Sequence, residues 1–144
     1  MRRVDIYRLF RQGICMAQLV KYPSVHIVDD DEAVRDSLDA YLTLKGMRVK
    51  TFSSAFDILN DTSGLPHILI LDVNMPDCDG FALLENLRLK GHLAPVIFIT
   101  GLGDPDMRLR ASRAGAAAFL DKPIDPHLLL ATLRKLYAER RHPS

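Results

Sequence analysis

The run ILILD at residues 68–72 sets four apolar side chains in succession and then an acid. Successive strand residues point to opposite faces, so a strand without polar alternates has no face to give to water. Such strands belong to parallel sheets covered by helices on both sides. From about residue 24 the rest of the chain agrees. Strand-like segments at 24–28, 48–52, 67–72, 95–100 and 117–121 alternate with helical patterns. The first pattern places Val34, Leu38, Tyr41 and Leu42 on one stripe, with Gly46 where a left-handed cap is wanted. Ser53 and Ser54 are caps for a short helix through Leu59, and a third helix carrying Phe81, Leu84 and Leu87 runs to Gly91. Asp104-Pro105 and Asp125-Pro126 each put a capping carboxylate before a proline at the first helical position. They open helices of about ten and about fifteen residues, the second with Leu129, Leu133 and Leu136 on one stripe. Strict alternation predicts a doubly wound α/β domain: a five-stranded parallel sheet with helices on both faces and its ligand site at the carboxyl ends of the strands.

Charge and cysteine content bound the function. With 19 Lys+Arg against 18 Asp+Glu the 144-residue chain is net +1, which gives no electrostatic case for nucleic acid or a membrane surface. Residues 1–22 are net +4 (Arg2, Arg3, Arg8, Arg11 and Lys21 against Asp5), which leaves −3 for the remainder. They read as an N-terminal extension, disordered or upstream of a true start at Met16, followed by one domain over 23–140 and a tail at 141–144. Cys15 and Cys78 make neither a CxxC pair nor a disulfide framework, which points to a reducing compartment and a cytoplasmic location. No apolar run reaches the roughly 20 residues of a membrane span. Arg8 and Arg11 interrupt any signal-peptide core.

The strand ends carry the chemistry. The first strand closes on Asp29 and Asp30, the third on Asp72, the fourth on Thr100, and Lys122-Pro123 follows the fifth. Strand-ending polar residues are ordinary one at a time, but three acids on adjoining strand ends repel. Two unit charges ~4 Å apart at an effective dielectric of ~20 cost about 4 kcal/mol. Lys122 supplies one countercharge and a divalent cation the rest. Carboxylate and carbonyl oxygens suit Mg2+ better than a soft metal, and the histidines show no ligand spacing. Carboxylate, Mg2+, lysine and hydroxyl are together the parts for phosphoryl transfer onto a carboxylate, Asp72.

Four motifs in order, IVDDDEAVR, LDVNMPDCDG, FITG and FLDKP, resemble the response-regulator receiver domain of two-component signalling, over about residues 24–138. The resemblance implies a flavodoxin-like strand order 2-1-3-4-5 and Asp72 as phospho-acceptor, served by Lys122 and Thr100. It implies Mg2+ bound by Asp30, Asp72 and the backbone carbonyl of Asn74, with Asp29 acting largely through water. It also implies a cis bond before Pro123, and a switch in which Thr100 moves to the phosphoryl group and Phe119 turns inward. That change would rework the face of the fourth helix, fifth strand and fifth helix, where homodimerisation is also expected. The implied donor is a histidine kinase or histidine phosphotransfer protein, and the output is a contact with a protein target. Such a domain is no enzyme beyond its own phosphoryl transfer and slow autodephosphorylation.

Some positions depart from the family's habits. Phe119 stands where tyrosine is common, leaving only packing to report the switch. Asn74 and Leu102 occupy the positions two residues after Asp72 and Thr100, which influence hydrolysis of the aspartyl phosphate; Leu102 implies no rate. Cys78 reads as incidental, the other reading being an exposed, redox-sensitive thiol. Arg108, Arg110, Arg113 and Asp121 read as solvated surface, the other reading being charged pairs across a dimer. After the last helical pattern only Glu139 to Ser144 follow, so the expectation is a stand-alone receiver without a DNA-binding output domain.

Competing readings do less well. An aspartate-nucleophile phosphohydrolase needs a second acid where Asn74 stands. A flavin phosphate would meet Asp29, Asp30 and Asp31 in the first strand–helix loop. A calcium loop from Asp72 would put Asp77 where glycine is required.

Overall fold

The computed structural model describes residues 23–101 and 103–141, with positions 8, 11 and 13 besides. In chain order the elements are β1 (Ser24–Val28), α1 (Glu32–Leu44), β2 (Arg48–Phe52), α2 (Ala55–Leu59) and β3 (Ile68–Asp72). They continue with α3 (Gly80–Leu89), β4 (Val96–Thr100), α4 (Pro105–Arg113), β5 (Ala118–Asp121) and α5 (Pro126–Arg141). The strands form one sheet in the order β2-β1-β3-β4-β5, with every neighbouring pair parallel. Leu102, the extension at 1–22 with Met16, and the tail residues 142–144 lie outside the described residues apart from the three isolated positions.

The apolar runs split by parity. Ile68 and Ile70 of β3, Ile97 and Ile99 of β4, and Val25 and Ile27 of β1 pack with Leu38 and Leu42 of α1 and Leu129 and Leu133 of α5. The alternate residues, Leu69, Leu71, Val96, Phe98 and Val28, pack with Ile58 of α2, Leu84 and Leu87 of α3, and Ala111 of α4. This is the double coverage expected of strands without polar alternates. Truncating one of these fully buried leucines or isoleucines to alanine typically costs about 2–5 kcal/mol. Coverage is complete only for the three inner strands. β2 and β5 are edges, so Arg48 and Lys50 stand exposed and all four residues of β5 keep some contact with solvent.

Helix starts follow the capping residues. Asp31, Ser54, Asp79 and Asp104 each accept backbone N–H groups of the turn they open, and Asp125 accepts from His127 at the start of α5. Gly46 and Gly91 take left-handed backbone, φ 89° for both, just beyond α1 and α3. β3 starts one residue later than expected. His67 instead ties into Ser24, its Nδ1 accepting the Ser24 N–H at 2.9 Å.

His26 places a polar side chain in the middle of β1. It is 7% exposed, tilts against Phe52 at 5.2 Å between centroids, and its Nδ1 has no hydrogen-bond partner among the described residues. Burial pushes its pKa down to about 4, with Asp61 opposing. Below pH 6.5 the unfolded chain takes up a proton that the folded chain refuses until about pH 4, so stability contributed here drains away across that window. The expected loss is about 2–3 kcal/mol. Relative to His26→Leu, the wild type should lose that much more between about pH 7 and about pH 4.5 in urea unfolding; parallel pH profiles for the two proteins would refute the assignment.

Candidate functional site

Parallel pairing brings the carboxyl ends of β1, β3 and β4 side by side, and the residues that end or follow them form the site. Asp72 pairs in register with Ile99, one residue short of Thr100, and Thr100 pairs with Asp121, one short of Lys122. Asp72 and Thr100 are the last residues of β3 and β4; they and Asp29 are buried. Three acids follow β1, and the structure gives each a different surrounding. Asp29 is fully buried, Asp30 is exposed, and Asp31 turns away to cap α1, accepting the Ala33 N–H at 2.9 Å. Asp29, Asp30 and Asp72 each present one carboxylate oxygen, all within 4.8 Å of one another.

Lys122 joins the acids. Its Nζ lies 2.8 Å from Asp29 Oδ2 and 3.3 Å from Asp72 Oδ2. The Lys122 N–H donates to the Thr100 carbonyl at 2.8 Å, which continues the β4–β5 pairing one step beyond the strands. The Lys122–Pro123 peptide bond is cis, as the resemblance implied. The other Asp72 oxygen accepts the Asn74 N–H at 3.3 Å, and the Asn74 side-chain Nδ2 donates to Thr100 Oγ1 at 3.0 Å.

Electrostatics follow from this crowding. Burial and then the Asp29 charge push the Asp72 carboxyl up to about 6, against the pull of Lys122 and the Asn74 N–H. On Lys122 burial acts downward, but the hydrogen bond to Asp29 and the charges of Asp29 and Asp72 outweigh it and the ammonium is held above its usual range. One lysine therefore serves two buried acids and leaves the pocket short of positive charge. A cluster of hard oxygen donors with that deficit suits Mg2+.

Around this centre the structure adds groups to which sequence reasoning gave no role. Arg35, at the end of the first motif, donates from Nη1 to the Asp29 carbonyl at 2.7 Å and so fixes the turn that carries the acids. The contact of the Asn74 amide with Thr100 is another, at a position expected to supply its backbone carbonyl and to influence hydrolysis of the aspartyl phosphate. Phe119 is half-buried on β5, with the Arg108 guanidinium over its ring at 4.9 Å and Arg108 ion-paired with Asp121. Arg110 stacks on Phe81 at 4.4 Å and approaches Asp79 at 3.8 Å. Arg108, Arg110 and Asp121 thus have partners within the chain rather than being solvated surface alone. The Cys78 thiol is partly buried, and burial with Asp79 and Asp77 pushes its pKa up, which disfavours the reactive thiolate.

A β2-β1-β3-β4-β5 sheet with an acidic pocket at its strand ends is the CheY-like, flavodoxin-like fold. A family model described as the response regulator receiver domain matches residues 25–134, and the chain belongs to that family. The response regulator protein TmoT of Ectopseudomonas mendocina is 43% identical over 111 residues, 76% of this chain and 50% of TmoT. The transcriptional regulatory protein FixJ of Azorhizobium caulinodans is 39% identical over 113 residues, 76% of this chain and 53% of FixJ. The chain therefore spans about half the length of these curated relatives. Among solved structures, the BeF3-activated DrrB receiver domain superposes with a TM-score of 0.73 at 32% identity, covering 80% of this chain and 97% of that one. Receiver domains are the phospho-acceptors of two-component systems and bind Mg2+ at an acidic pocket. No helix among the described residues is long and apolar enough to cross a membrane.

Proposed function

We propose that this chain is a phosphorylation switch in which Asp72 takes a phosphoryl group from a phosphohistidine on a histidine kinase or histidine phosphotransfer protein. The observation that carries this reading is the position of Lys122, within 3.3 Å of both Asp29 and Asp72, at the mouth of an acid pocket formed by strand ends. An Asp72 oxygen forms the new bond to phosphorus while the bond from phosphorus to the donor nitrogen breaks, and the electron pair leaves with the imidazole. The Lys122 ammonium lies beside the attacking carboxylate and holds charge on the phosphoryl oxygens. Asp30, Asp72 and the Asn74 backbone carbonyl would hold Mg2+, with Asp29 beside them in the same cluster, and the ion would supply positive charge to neutralise the phosphoryl group.

Thr100 then moves to the phosphoryl group and Phe119 turns inward, so that α4, β5 and α5 present a changed face to a protein target. Dimerisation through α4 and α5 belongs to the same reading, as does a cytoplasmic location. Catalysis is confined to the domain's own phosphoryl transfer and slow loss of the phosphate. The test is intact-mass measurement after incubation with a small acyl-phosphate donor, with Mg2+ or with chelator. One phosphate is expected with the metal and none with chelator. Equal masses in both samples would refute the proposal.

A further inference from the structure

α4 is anchored on the sheet by Ala111, with Met107 packed partly buried beside it. Its sequence PDMRLRASR contributes one buried residue, Ala111, and its arginines supply other attachments. Arg108 lies over Phe119 on β5, 4.9 Å from the ring centre, and pairs with Asp121 two residues further along the same strand. Arg110 lies over Phe81 on the other side. The loop leading into α4 closes on the same place. A Cβ added at Gly103 would collide with Asp121 Oδ1 and stand 3.1 Å from both Phe119 Cε1 and Thr100 Cγ2. Glycine at 103 thus lets the backbone pass close to the hydroxyl residue, the aromatic and the acid together.

We propose that Arg108 is a positioning residue for the switch: placed over Phe119 and paired with Asp121, it holds Phe119 in the half-buried place it has without phosphate and restrains phosphorylation of Asp72. The proposal rests on the phospho-acceptor reading above. The guanidinium stands 4.9 Å from the centre of the Phe119 ring and is tied to Asp121, so a turn of the ring out of its present place breaks the contact. The contact therefore stabilises only the resting arrangement, and whatever stabilises one of two states disfavours the other by the same factor. Arg108 and Asp121 are about half exposed, at 49% and 53%, so the restraint is modest and adjustable rather than a lock.

The experiment measures phosphate uptake from a limiting acyl-phosphate donor with Mg2+, by intact mass over time. Arg108→Ala is expected to take up phosphate about threefold to tenfold faster than wild type, the size that an exposed stack and ion pair support. Arg108→Lys should fall between them, because it keeps charge for Asp121 but loses the planar stack. In a Phe119→Leu background Arg108→Ala should change nothing further. That non-additivity separates a hold on Phe119 from a general loosening of α4. Thermal unfolding of each variant verifies that it is folded, and Arg108, being half exposed, tolerates replacement. Uptake by wild type and Arg108→Ala at one rate overturns the hold while leaving the acceptor reading standing. An acceleration that persists in full without Phe119 also overturns it. No uptake by any protein overturns both.

Discussion

Asp72→Asn protein is expected to gain no phosphate from an acyl-phosphate donor under conditions where the wild type gains one, and in the metal-free state to be the more stable of the two. The first effect follows from the proposed role of the Asp72 carboxylate oxygen as nucleophile, which a neutral amide does not replace. The second follows from the crowding of acids. Folding raises the Asp72 carboxyl from 3.8 to about 6, chiefly through burial and then through Asp29. At about pH 7 the group is charged in both states and the charge is tolerated less well in the folded one, so it lowers stability there. As the pH falls through about 6 the folded chain takes up the proton first and the penalty shrinks. Below 3.8 both states are protonated and it is gone. Asparagine removes the charge and keeps the shape, and Lys122 retains Asp29 at 2.8 Å. The expected gain is about 1–3 kcal/mol near neutral pH. It should fade as the medium is acidified, as read by urea unfolding with chelator present. Phosphate uptake by the variant at the wild-type rate would place the acceptor elsewhere.

Gly80→Ala is expected to be the most damaging small substitution near the site. The new Cβ would stand 2.5 Å from the Asp72 carbonyl oxygen and 3.0 Å from Val73 Cα, both backbone atoms that no rotamer change can clear. Gly80 opens α3, and its N–H donates to the Val73 carbonyl at 2.9 Å, so the helix start is seated directly on the end of β3. Alanine's better helix propensity returns about 1 kcal/mol, but opening the gap displaces either the helix or the strand end that carries Asp72. A net loss of about 2–3 kcal/mol is expected, with a thermal midpoint lower by about 6–12 °C. A midpoint matching that of the wild type would show that α3 shifts freely.

The strand interiors were legible because their apolar runs admit few other arrangements, and the site was legible because its acids, hydroxyl and lysine each stand at the end of such a run. Asp104 and Asp125 announced helix starts through the proline that follows each. What stayed hidden depends on reach across elements. Arg108 and Phe119 are eleven positions apart on a helix and a strand, and periodicity describes only which face of its own element a residue occupies. The Asn74 amide on Thr100 spans 26 residues for the same reason. Asp31 was one of three consecutive acids, and only its backbone N–H partners separate capping from the work of Asp29 and Asp30. The wet edges of β2 and β5 do not follow from composition, because an edge is defined by which neighbour is absent; they follow from the strand order, which the resemblance implied.

Lys122 and Asp72 meet across 50 residues of chain. As synthesis proceeds from the amino end, the acids of β1 and β3 exist long before β5 emerges with the lysine that partners them. Until the fifth strand docks, the cluster holds its repulsion and lacks the ammonium that lies 2.8 Å from Asp29 and 3.3 Å from Asp72 in the finished fold. The charge balance of the strand-end cluster is thereby tied to completion of the sheet, since its cation arrives on the last strand to be made.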